Sequence, residues 1–529
     1  MASQASWERL RQDVGGRLLK LNSPLAACAQ IPPGQDCEPL FRQLKNPYFL
    51  RDEPALTQTL GWVDAWTSAP SAYAIAAGST SDVVAGVNFA REYNLRLVVK
   101  GGGHSYQGTS NAPDSLLIWM RPMTAITVHD AFVGTGCEAA QSRSAVTVEA
   151  GAIWGQVYDA VTTQTGRYVQ GGGCLTVGVA GLIQSGGFGS FSKRYGTAAA
   201  SVIEAEIVGA DGQIRIANAC RHPDLFWAIK GGGGGSFGVV TRVTLATHDL
   251  PNFFGGVFVT IRATSDAAFR RLIGKVMAFY RDRLFNPHWG EQIAFRPNNS
   301  LIIGMTFQDL DQSQAEAIWR PFLGEIDASA QDFHIERSPA VLAAPARRFW
   351  DPEFLKSLGN FVLTDDRPGA RASNIFWAGN REESGQVLHG YQSVWMPAAL
   401  LHTDSEAKLV DALFEASRHW GVSLHFNKGL AGAPAPALEA SRDTAMNPAA
   451  LDAFALLISG AEGPPAFPGV PGREPDVETA RRQAAAISQA MSEFRTRLGV
   501  AGSYLAESDF FEKDWHTAFW EATRRGSAP

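Results

Sequence analysis

The 529-residue sequence is short of several things that would define other protein classes. Its five cysteines, Cys28, Cys37, Cys137, Cys174 and Cys220, include no C-x-x-C pair, which argues against a zinc site. The odd number leaves at least one without an intrachain partner. No apolar run approaches the ~20 residues of a membrane span, and Met1 to Leu21 lack the apolar core of a signal peptide. That leaves both a cytoplasmic and an exported protein open. Lys and Arg number 46 against 52 Asp and Glu, a net charge of −6, and no basic cluster stands out, which excludes a nucleic-acid partner. No heptad is sustained and no internal repeat is visible. A hydrophobic fraction of 45% with 19% charged residues describes a globular chain of two or three folding units.

What is present is glycine, in clusters. Ala72 to Ala77 reads as a strand. Thr80 is the expected N-cap of the next helix, with Asp82 in its first turn and Val83, Val87 and Ala90 at helical spacing. Asn94 closes that helix, and Leu95 to Val99 reads as a buried strand. Lys100-Gly101-Gly102-Gly103-His104-Ser105-Tyr106 follows at once. Consecutive glycines can turn their N–H groups into one concave anion-binding surface. The spacing fits neither G-x-x-x-x-G-K-[ST] nor a helix-opening G-x-G-x-x-G, so neither a P-loop nor a nicotinamide-binding Rossmann turn is supported.

A second cluster runs from Gly171 to Gly189 and interleaves Cys174, Val177, Val179, Leu182 and Ile183. A flexible linker would be polar, so close backbone approach to a flat ligand explains it better. A third, Gly231 to Gly235, stands between Phe226-Trp227 and Val239-Val240. Ala145 to Ala150, Val202 to Val208, Gln213 to Ala217 and Val239 to Leu245 read as strands, Ile153 to Thr162 as a helix, and Asp211-Gly212 as a hairpin turn. After Pro251 the glycine clusters thin out. Ala267 to Arg281, Glu406 to His419 and Asp476 to Leu498 read as helices, Val422 to Phe426 and Ala453 to Ile458 as strands. Gly463 to Pro475 is a surface loop with five prolines. Cys28 and Cys37 flank a Pro-Pro-Gly turn and either close a small loop or stay free thiols.

The motifs GGGHSYQG, GGGCLTVGVAGLIQSGGFG and FWAIKGGGGGSFGVVT, in that order over about Ala65 to Leu245, resemble the berberine-bridge-enzyme-like FAD-linked oxidases of the vanillyl-alcohol oxidase superfamily. The resemblance implies an α+β, two-domain fold: a PCMH-type FAD-binding domain over 1–250, a substrate domain of antiparallel sheet backed by helices over 251–498, and a C-terminal return to the FAD domain over 499–529. Gly101, Gly102, Gly103, Ser105 and Gly108 would wrap the pyrophosphate. Gly173, Gly178, Gly181, Gly186 and Gly187 would run beside the isoalloxazine, and Gly238 and Val240 near the adenine half. His104 would bond the flavin 8α-methyl and Cys174 the flavin C6. Val177, three residues after Cys174, would gate oxygen.

The resemblance further implies an oxidase that removes a hydride from a C–OH or C–N centre of a saccharide or secondary metabolite, with O2 as acceptor and H2O2 as product. Two alternatives stand beside it: a dehydrogenase using another acceptor, and a non-catalytic relative. The candidates for the catalytic base are Tyr504 and His425, with Asn427 and Lys428 in the same His-Phe-Asn-Lys run. If that run is a strand, His425 and Asn427 share one face and Lys428 points to the other. Tyr504 would need its pKa lowered from ~10, whereas His425 needs no such tuning. Related chains continue past the Phe519-Trp520 position with an Asn-Tyr-x-Arg-Leu element, where this one reads Glu521-Ala522-Thr523-Arg524-Arg525, so a shortened tail is expected.

Overall fold

The computed structural model describes residues 2–30 and 37–520. Residues 521–529, where the shortened tail was expected, lie outside that range. Three principal sheets organise the chain. The first takes strands Tyr73–Ala76, Ser115–Trp119 and Arg96–Lys100 in parallel, with Leu18–Lys20 antiparallel on Tyr73–Ala76. Short β-branched and apolar strands joined through the helix Thr80–Glu92 favour this parallel arrangement. The helix is capped by Ser79, whose side chain accepts from Asp82 N, one residue before the expected Thr80. Its C-cap is Tyr93, and Asn94 then takes a left-handed φ of 50°, which asparagine tolerates.

The second sheet is antiparallel, in the order Ile214–Asn218, Val202–Val208, Val239–Asp249, Arg143–Glu149, Ile126–Phe132, with Arg167–Val169 also on Val239–Asp249. The expected Asp211-Gly212 hairpin joins its first two strands, with Gly212 at φ +76°. Residues from both sheets share one core that includes Ile75, Leu116, Val146, Val148, Ile207 and Val243. The expected helix at 153–162 forms as an α-helix over Trp154–Tyr158 and widens to a π turn over Asp159–Gln164.

The third sheet has ten strands. Its centre runs Phe253–Ala263, Ser300–Gln308, Trp289–Phe295, Val422–His425, Ala453–Gly463, Gln386–Pro397. One face packs on the helices Asp266–Phe279, Gln312–Asp327, Thr403–His419 and Val477–Leu498 through Ile293, Leu424, Leu457, Leu272, Trp319, Leu413 and Phe494. Alternation then turns Gln292, Ser423 and His425 to the opposite face. On that face Phe188 of the second glycine cluster meets Trp395 and Tyr504, with ring centroids 5.8 and 5.2 Å away. Thr59–Trp62 joins this sheet in parallel with Gln386–Pro397, so a segment within the first 250 residues completes the second unit. Among the described residues no helix is long and apolar enough to cross a membrane.

Two disulfides form. Cys28–Cys37 closes the small loop left open by the sequence, and Cys137–Cys220 joins residues flanking the second sheet. Cys174 is the free cysteine.

Candidate functional site: a glycine-lined strip between the two units

The first glycine cluster leaves the strand Arg96–Lys100 and packs backbone to backbone against the second. A β-carbon on Gly102 would stand 2.5 Å from Gly178 N, so only glycine permits this approach. Lys100, fully buried, anchors the loop from behind. Its Nζ donates to the carbonyls of Leu50, Glu53 and Leu56, and burial lowers its pKa to about 7. Ser105 Oγ accepts from Thr109 N at 3.2 Å, and Gly108 at φ +69° leaves its missing side chain to the Trp66 ring.

The second cluster is pinned to 152–155 by Gly155 N to Leu175 O (2.8 Å), Trp154 N to Val177 O (3.1 Å) and Val179 N to Ala152 O (3.1 Å). Between these ties an open strip remains. Gly173 and Gly181 are exposed and Cys174 and Val177 half-buried, while Gly172, Leu175, Thr176, Gly178 and Ala180 are buried. A β-carbon at Gly181 would meet nothing within 4 Å. The strip therefore offers bare backbone and one thiol to a flat group, which is what an isoalloxazine needs. Gly186 and Gly187 are buried instead: Met446 occupies the space beside Gly186, and Gly187 N donates to the Tyr504 hydroxyl at 3.2 Å. Gly238, at φ +126°, approaches the Val208 carbonyl, and Val240, paired with Ile207, points its side chain into the core.

His104 and Cys174 converge. Thr176 Oγ1 lies 3.4 Å from His104 Nε2 and 3.5 Å from Cys174 Sγ. Burial drives the imidazole pKa down to about 4, so His104 is neutral at pH 7. Burial, with the charge of Glu383 adding to it, pushes the Cys174 thiol up to about 11, against hydrogen bonds from Thr176 and Val177.

Residues from 377 to 391 and from 58 close over this strip. Trp377 Nε1 donates to Gly173 O at 2.8 Å. Gln58 ties the segment carrying Glu383 to the first glycine cluster: its N–H donates to Gly103 O (2.9 Å), its Nε2 to Ser384 Oγ (3.1 Å), and its carbonyl accepts from Gly385 N (2.8 Å). Burial raises Glu383 to about 7, with Glu462 and Glu507 adding and Lys428 opposing. The rings of Tyr106 and Tyr391 stand 5.2 Å apart, and burial raises both phenols well above their ordinary value.

Glu291 is unusual in backbone as well as in charge. It sits inside the strand Trp289–Phe295 at φ +65°, a left-handed conformation that costs a non-glycine residue ~1–3 kcal/mol. Gly290 lets that strand approach the Ser190 carbonyl. Ser190 Oγ donates to the Glu291 carboxylate, Asn427 Nδ2 approaches it at 3.5 Å, and a β-carbon on Gly173 would stand 3.6 Å from Oε1. Burial raises the Glu291 pKa even so.

The sequence-derived base candidates sit on the same side. His425 Nε2 pairs with Ser423 Oγ at 2.9 Å, and burial, with Lys428 adding, lowers its pKa well below the ordinary value. The strand ends at His425, and Phe426–Lys428 forms a 3-10 turn, so the expected two-face alternation over 425–428 does not occur. Lys428 instead turns to pair with Glu507, three residues beyond Tyr504. Tyr504 is buried in an apolar cluster with Phe188, Trp395 and Leu456, and burial pushes its phenol far above the ordinary value. Glu291, Glu383, Glu507, Tyr106 and Tyr391 were not singled out in the sequence. Only Tyr106, inside the first glycine motif, carried a local signal. Among the described residues no group of His, Cys, Asp and Glu is arranged to hold a metal.

Residues 70–218 match the model of an FAD binding domain. An FAD-linked oxidoreductase of Malbranchea aurantiaca, malF, is 36% identical over 288 residues, 50% of this chain and 48% of the relative. The chain thus matches about half the length of that relative. A VAO-type flavoprotein of Myceliophthora thermophila superposes with a TM-score of 0.78 at 23% identity, covering 99% of this chain and 91% of that one. The glucooligosaccharide oxidase of Acremonium strictum, whose FAD is described as 6-S-cysteinyl, 8α-N1-histidyl, gives 0.60 at 17% identity, covering 86% and 87%. The α+β fold is that of the VAO-type flavoproteins, and residues 70–218 match an FAD binding domain.

Proposed function

We propose that the protein is an FAD-dependent oxidase whose cofactor is bonded to His104 and Cys174. It removes a hydride from a C–OH or C–N centre of a saccharide or hydroxylated secondary metabolite, and O2 receives the electrons as H2O2. The observation that carries this reading is the meeting of His104 and Cys174, which lie on separate glycine loops, across Thr176 at the edge of the open strip. Similarity to FAD-linked oxidoreductases, and a fold shared with an oligosaccharide oxidase bearing a doubly linked flavin, support it.

When bound, the flavin supplies the hydride acceptor. The chain supplies the rest. Gly101 to Gly103 present N–H groups for the pyrophosphate, with Ser105 and Gly108 shaping the turn. Gly173, Gly178 and Gly181 give backbone contact beside the ring. His425, held neutral by burial, is the acceptor for the substrate hydroxyl proton. Glu291 and Asn427 orient that hydroxyl: Asn427 is buried, and its Oδ1 has no protein partner. Tyr504, with its phenol kept protonated, acts as a hydrogen-bonding group that holds the 499–520 segment on Gly187. Half-buried Val177 leaves room for O2 at the strip. Val177→Ile is expected to slow flavin reoxidation, and an unchanged rate argues for an acceptor other than O2.

The test is anaerobic mixing of the holoprotein with a panel of gluco- and chito-oligosaccharides, polyols and amines, followed by admission of air. Bleaching of the flavin by one class, then one H2O2 per turnover, is the expected result. Bleaching with no peroxide on reoxidation means a dehydrogenase. No bleaching by any member contradicts the proposed substrate classes. His425→Ala is expected to slow bleaching at least ~100-fold, the usual scale of general-base catalysis.

A further inference from the structure

Thr176 stands between the two nucleophiles, and its own position is fixed on both sides. It is 1% exposed, between Leu175 and Val177, whose carbonyls are bonded to Gly155 N and Trp154 N. Its hydroxyl has one hydrogen to give. Two head-to-tail arrangements satisfy the three atoms. In one, Cys174 Sγ–H donates to Oγ1 and Oγ1–H donates to Nε2, which leaves the imidazole hydrogen on Nδ1 and the sulfur as a thiol. In the other, Nε2–H donates to Oγ1 and Oγ1–H donates to sulfur. Only the second leaves a lone pair on Nδ1 and a hydrogen bond that stabilises a thiolate.

We propose that Thr176 is the positioning residue for both flavin attachments: its hydroxyl commits His104 to attack through Nδ1 and donates to the Cys174 sulfur as the thiol proton leaves, so that one side chain serves two bonds. This rests on the covalent attachment proposed above. Each attachment joins a nucleophile bearing one hydrogen to a flavin carbon bearing hydrogen. Both hydrogens leave as protons, the electron pair of the broken C–H bond passes to the flavin, and O2 takes it up with the two protons as H2O2. The net change at sulfur is S–H plus C–H plus O2 to S–C plus H2O2, and at nitrogen N–H plus C–H plus O2 to N–C plus H2O2. Burial favours the neutral thiol, and the hydrogen bond from Thr176 is among the contacts that oppose it. The backbone of Thr176 also favours a proton on the His104 ring.

The experiment compares wild type, Thr176→Val and Thr176→Ser as purified holoproteins. Valine keeps the shape and removes the hydroxyl, and serine restores it. Proteolysis and mass spectrometry give the FAD-bearing fraction of the His104 and Cys174 peptides, and NMR of the isolated histidyl-flavin peptide gives the bonded nitrogen. The expected result is full occupancy through Nδ1 and sulfur in wild type and serine. In Thr176→Val the cysteinyl fraction falls at least tenfold and Nε2-linked product appears. Valine with wild-type occupancy and Nδ1 linkage alone overturns the role of Thr176. Wild type without linked flavin overturns the covalent reading, and the role of Thr176 with it. Loss of linkage in both valine and serine variants means that shape rather than the hydroxyl matters, which also overturns the proposal.

Discussion

Gly102→Ala probes the joint on which the whole site depends. The added methyl would stand 2.5 Å from Gly178 N, 3.0 Å from Gly178 Cα and 3.4 Å from Thr176 O. Ordinary contact begins near 3.4 Å, so the two glycine loops must separate by about 0.9 Å. The obstacle is backbone, which cannot swing aside as a side chain does. Overpacking of this kind costs ~1–3 kcal/mol. At ~2–4 °C per kcal/mol for a domain of this size, Tm falls by ~2–12 °C. The same displacement carries His104, two residues on, away from Thr176 and Cys174. A misplacement of ~1 Å costs a reaction ~100-fold, so flavin attachment should fall further than stability does. The assay is thermal unfolding together with acid-stable flavin per chain. Gly181→Ala is the control: its methyl meets no protein atom within 4 Å, so Tm should hold, while a flat ligand lying on the strip would lose room. Gly102→Ala with wild-type Tm and full attachment would show that the Gly102–Gly178 contact does not hold the site.

Other perturbations follow from the same structure. Denatured without reductant the chain should show one reactive thiol, that of Cys174, or none where it carries flavin; with reductant the four bridged cysteines should add to it. Breaking Cys137–Cys220, with a separation of 83 residues, should cost ~4.5 kcal/mol by loop entropy, against ~2.5 for Cys28–Cys37 with a separation of nine. Trp377→Phe removes the bond to Gly173 O, and should cost ~1 kcal/mol in stability but lower flavin attachment more visibly. Lys193, buried with Nζ on the carbonyls of Gly429 and Ala431, has its pKa lowered by burial from 10.5 to about 7. Between those values the folded chain binds fewer protons than the unfolded one, so this group makes stability rise with pH from about 7 to 10.5, by up to ~1.4 kcal/mol per pH unit. Lys193→Met should flatten that rise in denaturant titrations at pH 7.5 and 9.5. An unchanged slope would show that Lys193 does not titrate in this range.

Local signals proved the most legible. The β-branched run Val202–Val208 is a strand with the expected bounds, and Asp211-Gly212 makes the expected hairpin. The glycine clusters suggested close backbone approach to a flat ligand, and the structure also shows glycine packed on glycine, Gly102 against Gly178, which no local pattern foretold. What the sequence concealed depends on distant partners. Thr59–Trp62 finds a parallel partner in Gln386–Pro397, with no local pattern to say so. The bridge Cys137–Cys220 has a sequence separation of 83, whereas Cys28 and Cys37 are only nine apart. The strand at 422 stops at His425 because Gly429 must press against the backbone of 453–455, and the intervening residues turn to reach it. Glu291 carried no signal, since a left-handed glutamate inside a strand runs against both propensity and pattern and is held there only by the surrounding contacts. Local signals thus pointed to the glycine loops and to the His425–Lys428 run, whereas Glu291, Glu383 and Tyr391 depend on distant contacts and carried none.

His104 and Cys174 are both proposed to hold the flavin. Acid precipitation of the purified protein, followed by mass analysis of the washed pellet's peptides, tests it most directly. A yellow pellet with FAD on the two peptides containing His104 and Cys174 is the expected result. A colourless pellet under a yellow supernatant would contradict it.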